Sequence, residues 1–259
     1  MDVDELIFQG ADYHYKGEFG KAIARFQAAI RIDPQNEYAH NQLGILYAKK
    51  ERFDEAFREF HKVVQIDGRN TYALLWLGIL CLKQGDLEQG FKKFQRIIEI
   101  DPANADAYYF LGAIYNFRHN TPMAIEYLKK ARDADSDEPD THYRLAQAFH
   151  NLDMTANALL EYQRTLSLKP SHTKAINGIG WIYYNRGDRD AAIAEWKRIL
   201  KINHRDRDAI FNLAKAYNES AWEAIKRNNP EEAILYWKKT LGVDPQNKAA
   251  AYYLKEYGA

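Results

Sequence analysis

Apolar positions along this chain return in a short rhythm and a long one. Within a segment they recur at three- and four-residue steps, as at His40, Leu43, Gly44 and Tyr47, which is the spacing of one face of an α-helix. A short turn follows, and then a second stripe through Ala56, Phe60, Val63 and Ile66, matched further on by Ala192, Trp196, Ile199 and Ile202. The pair of stripes comes back every 34 residues, seen at Leu43-Gly44, Leu77-Gly78, Leu111-Gly112, Leu145-Ala146, Ile179-Gly180 and Leu213-Ala214, with Tyr47, Tyr115, Phe149, Tyr183 and Tyr217 one turn later. A fixed period of this length predicts an all-α stack of helical hairpins in which each unit buries its surface against its neighbours.

Small residues at the Leu-Gly and Leu-Ala stations fit a place where two helix backbones come close. Gly17, Gly85 and Gly187 fall between paired helices, where a positive φ costs glycine little. Pro34, Pro102, Pro170 and Pro245 follow the second helix and stop it. The pattern divides the chain into repeats over residues 3–36, 37–70, 71–104, 105–138, 139–172, 173–206 and 207–247, with a closing helix over 248–259.

These stations resemble the L-G-x-x-Y, A-x-x-x-F and terminal-P signature of the tetratricopeptide repeat family, over residues 3 to 259. The resemblance implies a right-handed α-solenoid of seven hairpins with a C-terminal capping helix. It also implies a non-enzymatic scaffold or adaptor that holds a segment of a partner protein against the first helices of its repeats. Departures are local: Gln9 replaces leucine, Gly68 replaces proline, Cys81 replaces tyrosine, Gly90 replaces alanine, and Ser136 stands at a proline station. The family's set of Lys and Asn residues that clamps a chaperone C-terminal carboxylate is not reproduced, because Asn41 is followed by Ile45 and then by Tyr, Leu and Trp positions.

The last repeat runs from Arg207 to Asn247, 41 residues against the usual 34. Seven extra residues are two helical turns, about 10 Å, and Ile210, Leu213, Ala214, Tyr217, Ala221, Ala224 and Ile225 keep one stripe. One lengthened first helix is predicted, turning at Asn228-Asn229-Pro230. Trp222 lies on its second strip, either as an extra partner contact or packed under the closing helix.

If the stripe stations face the core, another strip of each first helix is left over, and the resemblance places it in a groove. Reading it along the chain gives Tyr38 and Asn41; Tyr72, Leu75, Trp76 and Ile79; Tyr109 and Phe110; Tyr143, Arg144 and Gln147; Asn177, Trp181 and Tyr184; and Phe211 and Lys215. The early part is apolar and aromatic, and the later part mixes rings with hydrogen-bonding groups. Such rings suit recognition, offering large area and a polar tip at little rotamer entropy. The competing reading is that they stack between adjacent repeats.

Composition changes the picture mainly by exclusion. Lys plus Arg and Asp plus Glu both total 36, a formal net charge of zero, so no long-range field for nucleic acid or an anionic membrane is expected. The longest apolar run, residues 72–82, is too short to span a bilayer. No signal peptide is visible, which favours the cytoplasm, although a first repeat two residues after Met1 also fits a chain cut from a longer protein. The single cysteine, Cys81, sits at a core station. No histidine spacing, phosphate loop or carboxylate arrangement points to a metal, a cofactor or catalysis, and the acidic run at 133–144 lacks the Gly and Glu of a calcium loop. A second class of function, self-assembly by end-on stacking through the first repeat and closing helix, remains open, as does a regulatory role within a larger enzyme.

Overall fold

The computed structural model describes residues 2–258. They form helices α1 (Val3–Tyr15), α2 (Phe19–Ile32), α3 (Glu37–Lys49), α4 (Phe53–Ile66), α5 (Thr71–Lys83), α6 (Leu87–Ile100), α7 (Ala105–Phe117), α8 (Thr121–Ala134), α9 (Pro139–Asn151), α10 (Thr155–Leu168), α11 (Thr173–Asn185), α12 (Arg189–Ile202), α13 (Arg207–Lys226), α14 (Pro230–Val243) and α15 (Lys248–Tyr257). Two compact units result, Met1–Ser136 with α1 to α8 and Asp137–Ala259 with α9 to α15. Within each unit, consecutive helices pair as hairpins and successive hairpins stack.

Local chemistry sets the helix ends. Asn36, Asn70, Asn104, Asp206 and Asn247 each accept, at 3.0 to 3.1 Å, the backbone N–H three residues on, satisfying an otherwise orphaned donor at the start of a first helix. Asn229 caps α14 in the same way, and its amide donates to Glu232 at 3.0 Å. Inside the hairpins the chain reverses through a left-handed residue. Gly17, Gly85 and Gly187 take it at φ 75° to 83°, whereas Glu51, His119, Asp153 and Asn228 are held at 56° to 58°. A side chain in this region costs roughly 1–2 kcal/mol, only partly offset by the greater unfolded-state freedom of glycine. We therefore expect His119→Gly to raise stability by about 0.5–1 kcal/mol in urea denaturation; a loss would show that the His119 side chain is needed there.

The small stations allow the hairpins to close. A Cβ built on Gly44, Gly78, Gly112 or Gly180 would lie 2.7, 2.6, 2.7 and 2.6 Å from Phe60, Phe94, Leu128 and Trp196, each sixteen residues later on the second helix. In the lengthened hairpin this spacing is met by Ala221 and Trp237, both with no exposed surface, rather than by Ala214. The first turns of α13 meanwhile keep Ala209, Leu213 and Ala216 buried. One helix therefore serves two registers seven residues apart, and an α-helix turns only about 20° off phase over seven residues. Helix α15 closes the second unit, with Tyr253 lying over the Trp237 ring at 5.5 Å. Among the described residues, no helix is long and apolar enough to cross a membrane.

Candidate functional site

The leftover strip of the first helices is not uniformly available. In the first unit Trp76 lies flat on Phe60, with centroids 5.5 Å apart and planes 2° apart, and Phe110 lies flat on Phe94 at 4.8 Å and 9°. Both partners are fully buried residues of the preceding second helix, so one face of each strip ring is already covered. Tyr72 stands edge-on to Trp76 at 6.4 Å, and Tyr109 edge-on to Phe110 at 5.2 Å. Leu75 and Ile79 are half-buried against the same core. Tyr38 and Tyr72 remain 47% and 46% exposed. Asn41 is half-buried, and its Oδ1 is buried with no hydrogen-bond partner among the described residues.

The second unit's strip is knitted together by polar contacts. Asn177 Oδ1 accepts from Trp196 Nε1 at 3.0 Å and from Asn212 Nδ2 at 2.9 Å. Trp181 meets Trp196 and Tyr184 edge-on at 5.5 and 5.3 Å, and the Lys215 ammonium sits 5.2 Å and 4.9 Å from the Trp181 and Tyr184 ring centres, within cation–π range. The Tyr184 hydroxyl donates to Glu219. Burial, followed by that hydrogen bond to a carboxylate, pushes Tyr184 up to about 12, so the phenol stays protonated and remains a donor. Tyr143 tilts over His172 at 4.7 Å. Gln147 is half-buried, and Arg144 and Phe211 are exposed. Trp222, 37% exposed, packs edge-on to Tyr253 at 4.7 Å and Trp237 at 5.9 Å, beneath the closing helix.

Several contacts escaped the helical reading. His40 Nδ1 and His142 Nδ1 each approach a glutamate of their own second helix, Glu59 and Glu161, at 2.6 Å. Burial works against charging His40, but hydrogen bonds to Glu59 and the Pro34 carbonyl prevail and hold its pKa above the ordinary value. The first unit also has a recess of about 490 Å³ between α1 and α3, lined by Ala11, His14, Tyr15, Phe19, Tyr38, Gln42 and Lys49. The missed signal is a spacing. His14–Lys49, Asn177–Asn212 and Tyr184–Glu219 are all 35 residues apart, one repeat plus one residue, which places them side by side on adjacent first helices. Cys81 is buried, and burial pushes its thiol pKa up. Among the described residues no group of three or more His, Cys, Asp or Glu is arranged to hold a metal ion.

Fold and strip together define a helical-repeat protein of the interaction-scaffold class. Models of the tetratricopeptide repeat match residues 10–51 and 72–104, so the chain carries repeats of that family. The C-terminal part of a repeat protein from Cytophaga hutchinsonii aligns over 95% of this chain and 98% of its own, at 19% identity and a TM-score of 0.75. Pseudomonas aeruginosa PilF aligns over 79% and 93% at 18% identity and 0.70. MamA covers 63% of this chain and 95% of its own at 28% identity and 0.56. YrrB, described as having an unusual peptide-binding site, covers 72% and 96% at 17% and 0.57. No curated protein sequence matches the chain. Proteins of this family are in general non-enzymatic scaffolds.

Proposed function

We propose that the protein is an adaptor that binds an extended or helical segment of a partner protein along its first-helix strips, without catalysis of its own. The supporting observation is the exposed outer aromatic surface of the first unit. Tyr38 and Tyr72 remain nearly half exposed although Trp76 and Phe110 are held rigidly from behind by Phe60 and Phe94. Rings fixed in this way lose little entropy when a ligand covers them. The strip over α5 and α7 suits apolar side chains, and the second unit's strip, with Arg144 and Lys215, suits polar or acidic ones.

End-on self-assembly is the weaker reading, because the stacking stations of α1 are polar. The stations that bury Ala39, Leu43 and Leu46, or Ala73, Leu77 and Leu80, against the preceding hairpin are Glu5, Gln9 and Asp12 in α1, where Gln9 donates to Glu5 and Lys16 pairs with Asp12. In α15 the station that is Gly or Ala elsewhere is an exposed lysine, Lys255.

The test is affinity capture from source-cell lysate with the intact chain and with a Trp76→Ala, Tyr109→Ala variant checked for folding by circular dichroism and melting. Loss of two aromatic contacts is expected to weaken the captured partner at least tenfold, in line with about 1–2 kcal/mol or more per central aromatic. Equal retention by both proteins would sink the strip as the binding surface. A mass that grows with concentration would revive self-assembly.

A further inference from the structure

We propose that the recess between α1 and α3 receives an acidic side chain of the partner segment, with Lys49 as its cation. This rests on the adaptor reading above and adds the chemistry of one subsite. Lys49 Nζ lies 2.9 Å from His14 Nε2, and His14 Nδ1 lies 3.3 Å from Gln42 Oε1. An ammonium can only donate, so Nε2 accepts and Nδ1 carries the proton that goes to Gln42. The three side chains form a directed relay that fixes the position of the Lys49 head, which also sits 5.6 Å from the centre of the Phe19 ring. Two of its three N–H donors are left over.

Nearby acids do not use them. Asp12 pairs with Lys16 and Glu18 with Lys21, and among the described residues no carboxylate lies within ion-pair distance of Lys49. The recess is thus edged by an exposed ammonium with no ion-pair partner among the described residues. Its rim carries the exposed rings of Tyr15 and Tyr38, 91% and 47% accessible, which can cover the backbone flanking an acidic residue. A carboxylate meets the remaining donors as charge-assisted hydrogen bonds, and an apolar or cationic residue there gains nothing from them.

The probe is an array of random decapeptides in four sets: internal Glu or Asp with an amidated C-terminus, the matching Gln or Asn set, an acid-free set with a free C-terminal carboxylate, and its amide. The first set is expected to be retained about fivefold more than its isosteric partner, as one charged contact predicts. Lys49→Gln should remove that preference without changing the melting temperature, and Lys49→Arg should restore most of it. If only the free C-terminus is preferred over its amide, a chain end and not an acidic side chain is bound, and this subsite is wrong. If acidic and amide sets bind alike while Trp76→Ala, Tyr109→Ala abolishes binding of both, the carboxylate subsite is wrong and the adaptor reading survives. Acid-selective binding that ignores the aromatic variant but needs Lys49 would support the recess and overturn the strip, and binding by no set would remove both.

Discussion

Gly78→Leu should destabilise the protein by about 3 kcal/mol, the upper part of the range for overpacking a closed core, whereas Gly20→Ala should stabilise it by a few tenths of a kcal/mol to about 1 kcal/mol. The two glycines lie in helices of the same unit and differ only in what surrounds them. A Cβ on Gly20 meets nothing within 4 Å, and one on Gly78 meets two atoms of the Phe94 ring at 2.6 Å. That ring cannot swing away. It has no exposed surface, and Phe110 lies flat against it at 4.8 Å. The carbonyl of Gly78 also sits 3.2 Å from the position a Cβ on Gly90 would occupy, so the two helix backbones of this hairpin are already close. Leucine at 78 must therefore push α5 and α6 apart or displace Phe110, which lies against the Phe94 ring. Urea denaturation of both variants checks the pair, and a Gly78→Leu protein as stable as the parent would mean that the hairpin is looser than its geometry states.

The largest loss from removing a side chain is expected at Trp196 and Trp237, the two bulkiest fully buried residues, where truncation to alanine should cost about 3–5 kcal/mol each. Phenylalanine separates them. Trp196 Nε1 donates to Asn177, so Trp196→Phe gives up a hydrogen bond worth about 1 kcal/mol as well as packing. Trp237 Nε1 is buried without a partner among the described residues, because Asn218, nineteen residues earlier as Asn177 is to Trp196, is instead approached by the Thr240 hydroxyl at 3.4 Å. Trp237→Phe deletes a donor whose burial is already uncompensated, and should cost at least about 1 kcal/mol less than Trp196→Phe. Equal losses in thermal or urea melts would show that the Trp237 indole finds a partner in solution.

The same pair of tryptophans shows where the sequence was legible. Ala221 and Trp237 keep the sixteen-residue spacing of Gly180 and Trp196, so a two-turn extension of α13 was readable from the stripe that runs unbroken through Ala221 and Ala224. The consequence was not. Two registers on one helix place Trp222 against Tyr253 and Trp237, and only the path of α15 determines that contact. On the strip, helical phase separated Trp76 and Phe110 from the core stations, but it did not reveal that their inner faces rest on Phe60 and Phe94.

By itself, the sequence determined the period, the hairpins and the points of close approach, because each depends on residue type at short separations: apolar spacing for a helix face, Asn or Asp for a cap, glycine or alanine for backbone contact. Tertiary structure alone decided which strip residues are spent on their neighbours and which remain open. That choice depends on pairs such as His14 and Lys49 or Tyr184 and Glu219, 35 residues apart, brought side by side by the stacking of one hairpin on the next. A helical wheel gives the direction of a side chain from its own axis and carries no information about the residue one repeat away that meets it.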